Sequence, residues 1–248
     1  MNANSLRRIP NLKTILAFIL LQLSVSALAL TYKDRPYDNS DWHKIYEKHN
    51  ITVYSHKPKN SALVVFKAVG VLNAPLGPIL GNLREVEKTI EWAPNMSEKT
   101  LLKNHSDVEA ITYNDNDLPW PVTDRDLVLT NKLFLDEEEG YLIVETRSVE
   151  FPGAPIKKDR VRAVIEYGTM AFRPVDEKNT WVELIILVDP KGSIPKWLVN
   201  IMQQKMPYDF LKSLEKRSNE FSPEQLPGIT DLEKRLRKIL EKKMAHKE

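Results

Sequence analysis

The residues with the clearest chemical potential stand together at Asp124, Arg125 and Asp126, which close the stretch NDNDLPWPVTDRD at 114–126. An arginine flanked by two carboxylates has three uses. It can form a local salt bridge with Asp124 or Asp126, it can hold a polar group of a bound molecule, or it can join a histidine in a hydrolytic site. Adjacent strand residues point to opposite faces, so an inward Arg125 sends Asp126 outward or towards a sheet edge. An inward guanidinium is costly unless a carboxylate, carbonyl, water or ligand oxygen satisfies it. Within an apolar tunnel it would fix the polar end of an amphiphile.

Other chemistry is sparse. The five histidines, His43, His49, His56, His105 and His246, form no HExxH or comparable zinc spacing, and cysteine is absent. There is no GxSxG elbow and no glycine-rich phosphate cradle among only eight glycines. The reading is therefore no catalytic residue, no metal and no cofactor. Arg162 and Glu166, four apart on one strand face, read as an outward ion pair.

The elements that must position Arg125 are strands. Val108–Tyr113 and Leu127–Phe134 alternate and flank the loop, where Pro119 and Pro121 fix their own φ and push Leu118 and Trp120 away from helix. A stiff loop carrying Trp120 reads either as a pocket rim or as a surface loop capping a hydrophobic edge. Val108, Ala110 and Thr112 share one face while Glu109, Ile111 and Tyr113 share the other, and this mixture suits a curved sheet around something less uniform than a packed core. Leu63–Leu72, Lys99–Lys103, Gly140–Arg147, Arg160–Phe172 and Thr180–Val188 also read as strands, roughly eight in all. Lys67 reads as an edge or outward lysine. Gly168 marks a bulge or bend.

Helical signals are fewer. Residues around Trp42, Ile45 and Tyr46 suggest a short amphipathic helix or turn, and Ile79, Leu80, Leu83 and Val86 share a helix face after Pro75 and Pro78. After the last strand, Ser193 and Pro195 open a long helix with a broad apolar stripe of Ile194, Trp197, Leu198, Ile201 and Met202. The stripe continues past a kink at Pro207 through Phe210, Leu211 and Leu214. Such a helix needs a surface to cover, and the open side of the sheet provides it.

The ends differ from the middle. Arg7, Arg8 and Lys13 precede an apolar run, Thr14–Val25, and Ala27-Leu28-Ala29 has the form cut by a signal peptidase. Residues 1–29 are therefore expected to be a signal peptide, 30–41 a linker, 42–222 the domain and 223–248 a charged helical tail. Whole-chain charge is +2, from 36 basic and 34 acidic residues. Without the three basic residues of the leader the balance is 33 against 34, so the basic pI gives no argument for nucleic acid. The tail carries seven Lys or Arg and four Asp or Glu from 231 to 248, and reads as a frayed, solvated helix or as a contact for an anionic membrane surface.

Three pieces, IEWAPNMSE at 90–98, LPWPVTDRDLVL at 118–129 and VDPKGSIPKWLVNIMQQKMPYDFLKSLEK at 188–216, resemble StAR-related lipid-transfer (START) domains in wording and order. The resemblance covers about 42–217. It implies an α+β helix-grip fold, a curved antiparallel β-sheet around a long C-terminal α-helix, enclosing a tunnel for one lipid. It also implies that Arg125 is the family's inward arginine, that 114–124 lies beside the tunnel mouth, and that Ile194 to about Arg217 is the lid. Asn114 stands where a cholesterol-carrying branch has an acid, which leaves phospholipid, fatty acid or another amphiphile open. The expected ligand-binding residues are thus Arg125, Asn114, Trp120, Trp197, Leu198, Ile201 and Met202. The leader suggests an exported, periplasmic bacterial carrier, monomeric and in transient contact with membranes. The other reading kept open is a helix-grip enzyme, a cyclase or hydrolase acting on a hydrophobic small molecule.

Overall fold

The computed structural model describes Tyr37 and residues 41–246 except 60, 156 and 195; the side chains of 196–203 also lie outside the description. Among the described residues ten strands form a single sheet: β1 His43–Lys48, β2 Ile51–His56, β3 Val65–Leu72, β4 Met96–Ser106, β5 Glu109–Asn116, β6 Asp124–Asp136, β7 Tyr141–Ser148, β8 Arg160–Arg162, β9 Val164–Pro174 and β10 Thr180–Asp189. Their order is β1-β2-β3-β10-β9-β7-β6-β5-β4, antiparallel throughout, with β8 pairing parallel to β6. The sheet curves around a helix, α2 (Lys196–Glu220); α1 (Leu76–Arg84) follows β3, and α3 (Pro227–Ala245) ends the chain. This is the helix-grip architecture.

The two faces of the sheet are set by the period of two along each strand. On β10, Val182 and Leu184 enter the main core, where Leu72, Phe172, Ile79, Leu211 and Leu214 meet them; Ile185 and Leu187 enter a smaller cluster on the other face with Val65 and Tyr167. The second half of α2 is clamped by polar contacts as well as packing. Glu215 Oε2 accepts from the Asn73 amide at 3.0 Å, and Asn82 Nδ2 donates to the Phe221 carbonyl at 2.9 Å. Its middle is tied to the β1–β2 hairpin, where His49 Nδ1 lies 2.6 Å from the Tyr208 hydroxyl.

Three local expectations change, and a fourth, that for Lys67, is narrowed to one of its two alternatives. The segment at Trp42–Tyr46 is strand from His43 onwards, not helix: a bulge between Lys44 and Tyr46 turns the consecutive Ile45 and Tyr46 both towards the core, imitating helical spacing. The irregularity in the long strand falls at Ala163 and Glu166, while Gly168 pairs regularly with Ile186 and Thr146. Lys67 is outward but not at an edge, since β3 lies between β2 and β10, and its ammonium sits 4.2 Å from the Trp42 ring centroid. Finally, the C-terminal tail is not a frayed, solvated helix. Ile229 and Leu236 of α3 are buried in the main core, with Leu232 and Leu240 packed beside them, so the compact unit continues past 222.

Candidate functional site

Between the concave sheet face, α1 and α2 lies a cavity of about 260 Å³. Alternate residues of β5, namely Ala110, Thr112, Asn114 and Asn116, form one wall, and Leu129, Asn131 and Leu133 of β6 continue it. Met170, Leu184 and Ile186 supply the floor. Leu80 and Leu83 of α1 and Met206, Pro207 and Phe210 of α2 close it over. The lining is mainly aliphatic, as expected where strands present one face to an unfilled space beneath a helix.

One band of the wall is polar. Asn131 Nδ2 donates to Thr112 Oγ1 at 3.1 Å, Thr146 Oγ1 donates to Asn131 Oδ1 at 3.1 Å, and Asn114 Nδ2 reaches the same Thr112 oxygen at 3.3 Å. Asn114 is only 2% exposed, and its Oδ1 has no hydrogen-bond partner among the described residues. Opposite it in the β4–β5 ladder is Lys99, which also lines the cavity and donates to Thr89 Oγ1 at 3.3 Å. Burial, aided by the nearby Arg84 guanidinium, pushes the Lys99 ammonium down to about 8. Thr112, Asn131, Thr146 and Lys99 were not among the residues singled out from sequence. Their signal was the mixed inner face of β5, extended to its neighbours once the register is known.

The residues predicted from sequence separate into three groups. Asn114 lines the cavity. Arg125 and Trp120 do not. Arg125 is 6% exposed and spends its guanidinium on backbone carbonyls: Nε donates to Pro190 at 3.0 Å, Nη2 to Lys191 at 2.9 Å, and Nη1 to Thr123. It therefore ties β6 to the connector that leads into α2, and burial lowers its pKa against a partial offset from Asp124. Neither Asp124 nor Asp126 takes it as a salt-bridge partner among the described residues. Trp120 is 92% exposed, because the Val122 amide bonds to Pro119 O and Asp124 Oδ1 accepts the Leu118 amide, holding the loop as an outward turn. The side chains of Trp197, Leu198, Ile201 and Met202 lie outside the described residues.

The outer side of the same strands carries an ionic cluster. Asp126 accepts Arg162 at 2.8 and 2.9 Å, and Asp115 accepts Lys157 and Arg160, each at 2.8 Å. Arg162 thus pairs across β6 and β8 rather than with Glu166. Among the described residues, no group of three or more His, Asp or Glu side chains is placed to hold a metal ion.

The START domain profile matches residues 22–224. The chain belongs to the START domain family. As a START domain it is 25% identical over 201 residues to an uncharacterized protein of Pseudomonas aeruginosa, covering 81% of this chain and 93% of that one. It is also 25% identical over 186 residues to the phosphatidylcholine transfer protein of Mus musculus, covering 73% and 86%. A STAR-related lipid transfer protein fragment from Xanthomonas axonopodis superposes with a TM-score of 0.61 at 27% identity, over 72% of this chain and 98% of the fragment. Family membership supports a lipid-binding or lipid-transport role for this START domain.

Proposed function

We propose that the protein encloses a single lipid between α2 and the sheet, and carries or exchanges it between membranes. The observation that carries this reading is the cavity itself: an aliphatic chamber under a helix, with one polar band on its wall. Each methylene withdrawn from water contributes roughly 0.8 kcal/mol, while a few polar groups orient the head. At about 260 Å³ the chamber lies just below the usual ligand-site range of roughly 300–1,000 Å³, so loading requires α2 or the rim to give way.

The exposed Trp120 suits the membrane-facing end of that cycle, since an aromatic side chain with a polar edge favours the lipid–water interface. The loop bearing it continues from Asn116, which lines the cavity. Arg125 then has a positioning role, holding the connector to α2 rather than touching the lipid. The basic, apolar and small-residue pattern of 1–29 supports export, and with it a periplasmic site of action. The similarity to phosphatidylcholine transfer proteins keeps a phospholipid among the ligand classes, with fatty acid as the other.

Native mass spectrometry of the full chain, followed by extraction of what it retains, tests the reading. One lipid per protein, transferable from donor to acceptor vesicles, is the expected result. A protein that stays empty after exposure to mixed lipids would sink it.

A further inference from the structure

The polar band of the cavity is unbalanced in charge and in hydrogen bonding. Lys99 brings a cation to the wall, and among the described residues no carboxylate forms a salt bridge with it. The Lys99 side chain keeps partial exposure, yet its ammonium end is surrounded by protein. Among the described residues its one side-chain hydrogen bond runs to Thr89 Oγ1, which is itself committed to the Glu85 carbonyl at 3.2 Å. An ammonium has three donors, so this one has capacity to spare. Of the two other cations lining the cavity, Arg84 is occupied by the Asp107 and Ser106 carbonyls and by Asn104 Oδ1, at 2.7 to 3.1 Å, and Lys132 stands opposite the Glu109 carboxylate in the β5–β6 ladder.

Asn114 supplies the second, independent observation: a side chain 2% exposed, lining the cavity, with an orphan oxygen. Amide oxygen and nitrogen are distinguished only by their partners. Thr112 Oγ1 already accepts from Asn131, and its own hydroxyl hydrogen is available to donate. With its amide reversed, Asn114 accepts that hydrogen through Oδ1 and turns Nδ2 to the cavity as a donor beside Lys99. The cross-strand pair then presents an ammonium and an amide donor to the same space.

We infer that the cavity selects an amphiphile with an oxyanion head group, a carboxylate or a phosphate, paired with Lys99 and hydrogen-bonded by Asn114. This rests on the lipid-binding reading above and narrows its substrate class. An incoming anion satisfies both residues at once, whereas a neutral head leaves the desolvated ammonium uncompensated. At neutral pH an ammonium with a pKa of about 8 is still mostly protonated, so the cation is there to be used.

The test compares lipids that differ only in the anion, using the full chain. Palmitate is set against hexadecanol, and phosphatidylglycerol against a diacylglycerol with the same chains, with retention read by native mass spectrometry. The wild type should prefer the anionic member of at least one pair by roughly ten- to a hundredfold, as expected for a charge-assisted hydrogen bond. Which pair responds tells a carboxylate from a phosphate ligand. Lys99→Met should abolish the preference while still retaining the neutral lipid, and Lys99→Arg should restore it; thermal melts of both variants confirm folding. Equal uptake of both members of each pair by the wild type, or a preference that survives Lys99→Met, overturns the inference while leaving lipid binding intact. Retention of none of the four overturns lipid binding itself, and the inference with it.

Discussion

Asp115 of β5 and Asp126 of β6 stand directly opposite each other in the antiparallel ladder, and each is only 2% exposed. Two like charges in that relationship destabilise a sheet unless they are compensated. Compensation comes from the segment after the loop at 151–155: Lys157 and Arg160 reach Asp115, and Arg162 grips Asp126 through two hydrogen bonds. Electrostatics thereby fixes β8 beside β6, on the reverse of the wall that carries Asn114.

Removing Arg162 leaves a buried carboxylate facing another. Arg162→Met should cost about 1–3 kcal/mol, less than a wholly buried pair because the arginine is 39% exposed. Arg162→Lys should recover only part of this, since a single ammonium cannot reproduce the two-pronged contact. Adding Asp126→Asn to Arg162→Met should restore much of the loss. Urea midpoints of the three variants check it, and a wild-type midpoint for Arg162→Met would remove Asp126 as a structural anion.

The pH dependence has a definite sign. Burial alone would raise the Asp115 pKa, but the hydrogen bonds from Lys157 and Arg160 outweigh it and hold the carboxyl below its ordinary 3.8. The unfolded chain therefore binds the proton first, so stability from Asp115 is fully present above the unfolded value and drains away as pH falls through the folded one. Melting temperature measured from pH 6 down to pH 3 should fall more steeply in the wild type than in Asp115→Asn. Parallel curves would show that the carboxylate has the same pKa folded and unfolded.

Filling the chamber tests its role while keeping every residue of its polar band. Ala110 lies on the cavity face of β5. Ala110→Phe places a ring in the empty space and should reduce lipid retention by roughly tenfold, about 1.4 kcal/mol, with little change in the melting temperature of the empty protein. If the variant loads lipid as the wild type does, the ligand sits elsewhere.

Trp120 should separate binding from delivery. It is exposed and absent from the cavity lining, so its expected part lies in delivery rather than in holding the lipid. Trp120→Ala should leave the retained lipid unchanged and slow its exchange between vesicles severalfold, a loss of order 1 kcal/mol in interfacial attraction. Equal exchange rates would detach the loop from the membrane step.

The strands and the gripping helix were legible because their signals are local. Alternation along β5 and β10 and the stripe after Ser193 each depend on residues within one element. The site was less legible because it depends on register. Lys99 meets Asn114 only through the β4–β5 pairing, and Arg162 meets Asp126 across 36 positions through a parallel contact that strand periodicity cannot reveal. Arg125 shows the limit of reading orientation from alternation: its guanidinium was expected to need an oxygen partner, and it has three, but all are backbone carbonyls. A buried arginine announces that it must be satisfied, not by what.

The last helix offers the sharpest contrast between composition and packing. Its charged sequence suggested a solvated tail, and the family profile stops at residue 224, before α3 begins at Pro227. Yet Leu236 is fully buried, Asp107 Oδ2 accepts the Gly228 amide at 2.9 Å, and Arg235 pairs with Glu137 in the β6–β7 turn. Those charges are the outer face of a helix whose inner stripe covers α1 and the sheet. Leu236→Ala should therefore cost about 2–5 kcal/mol, the price of a cavity in a packed core. Ending the chain after Ser222 should cost more still, because Ile229 and Leu236 leave the core together. Chemical denaturation of both forms decides the matter. Stability unchanged by either alteration would return α3 to the solvent, and full stability of Leu236→Ala alone would mean that the site collapses around the smaller side chain.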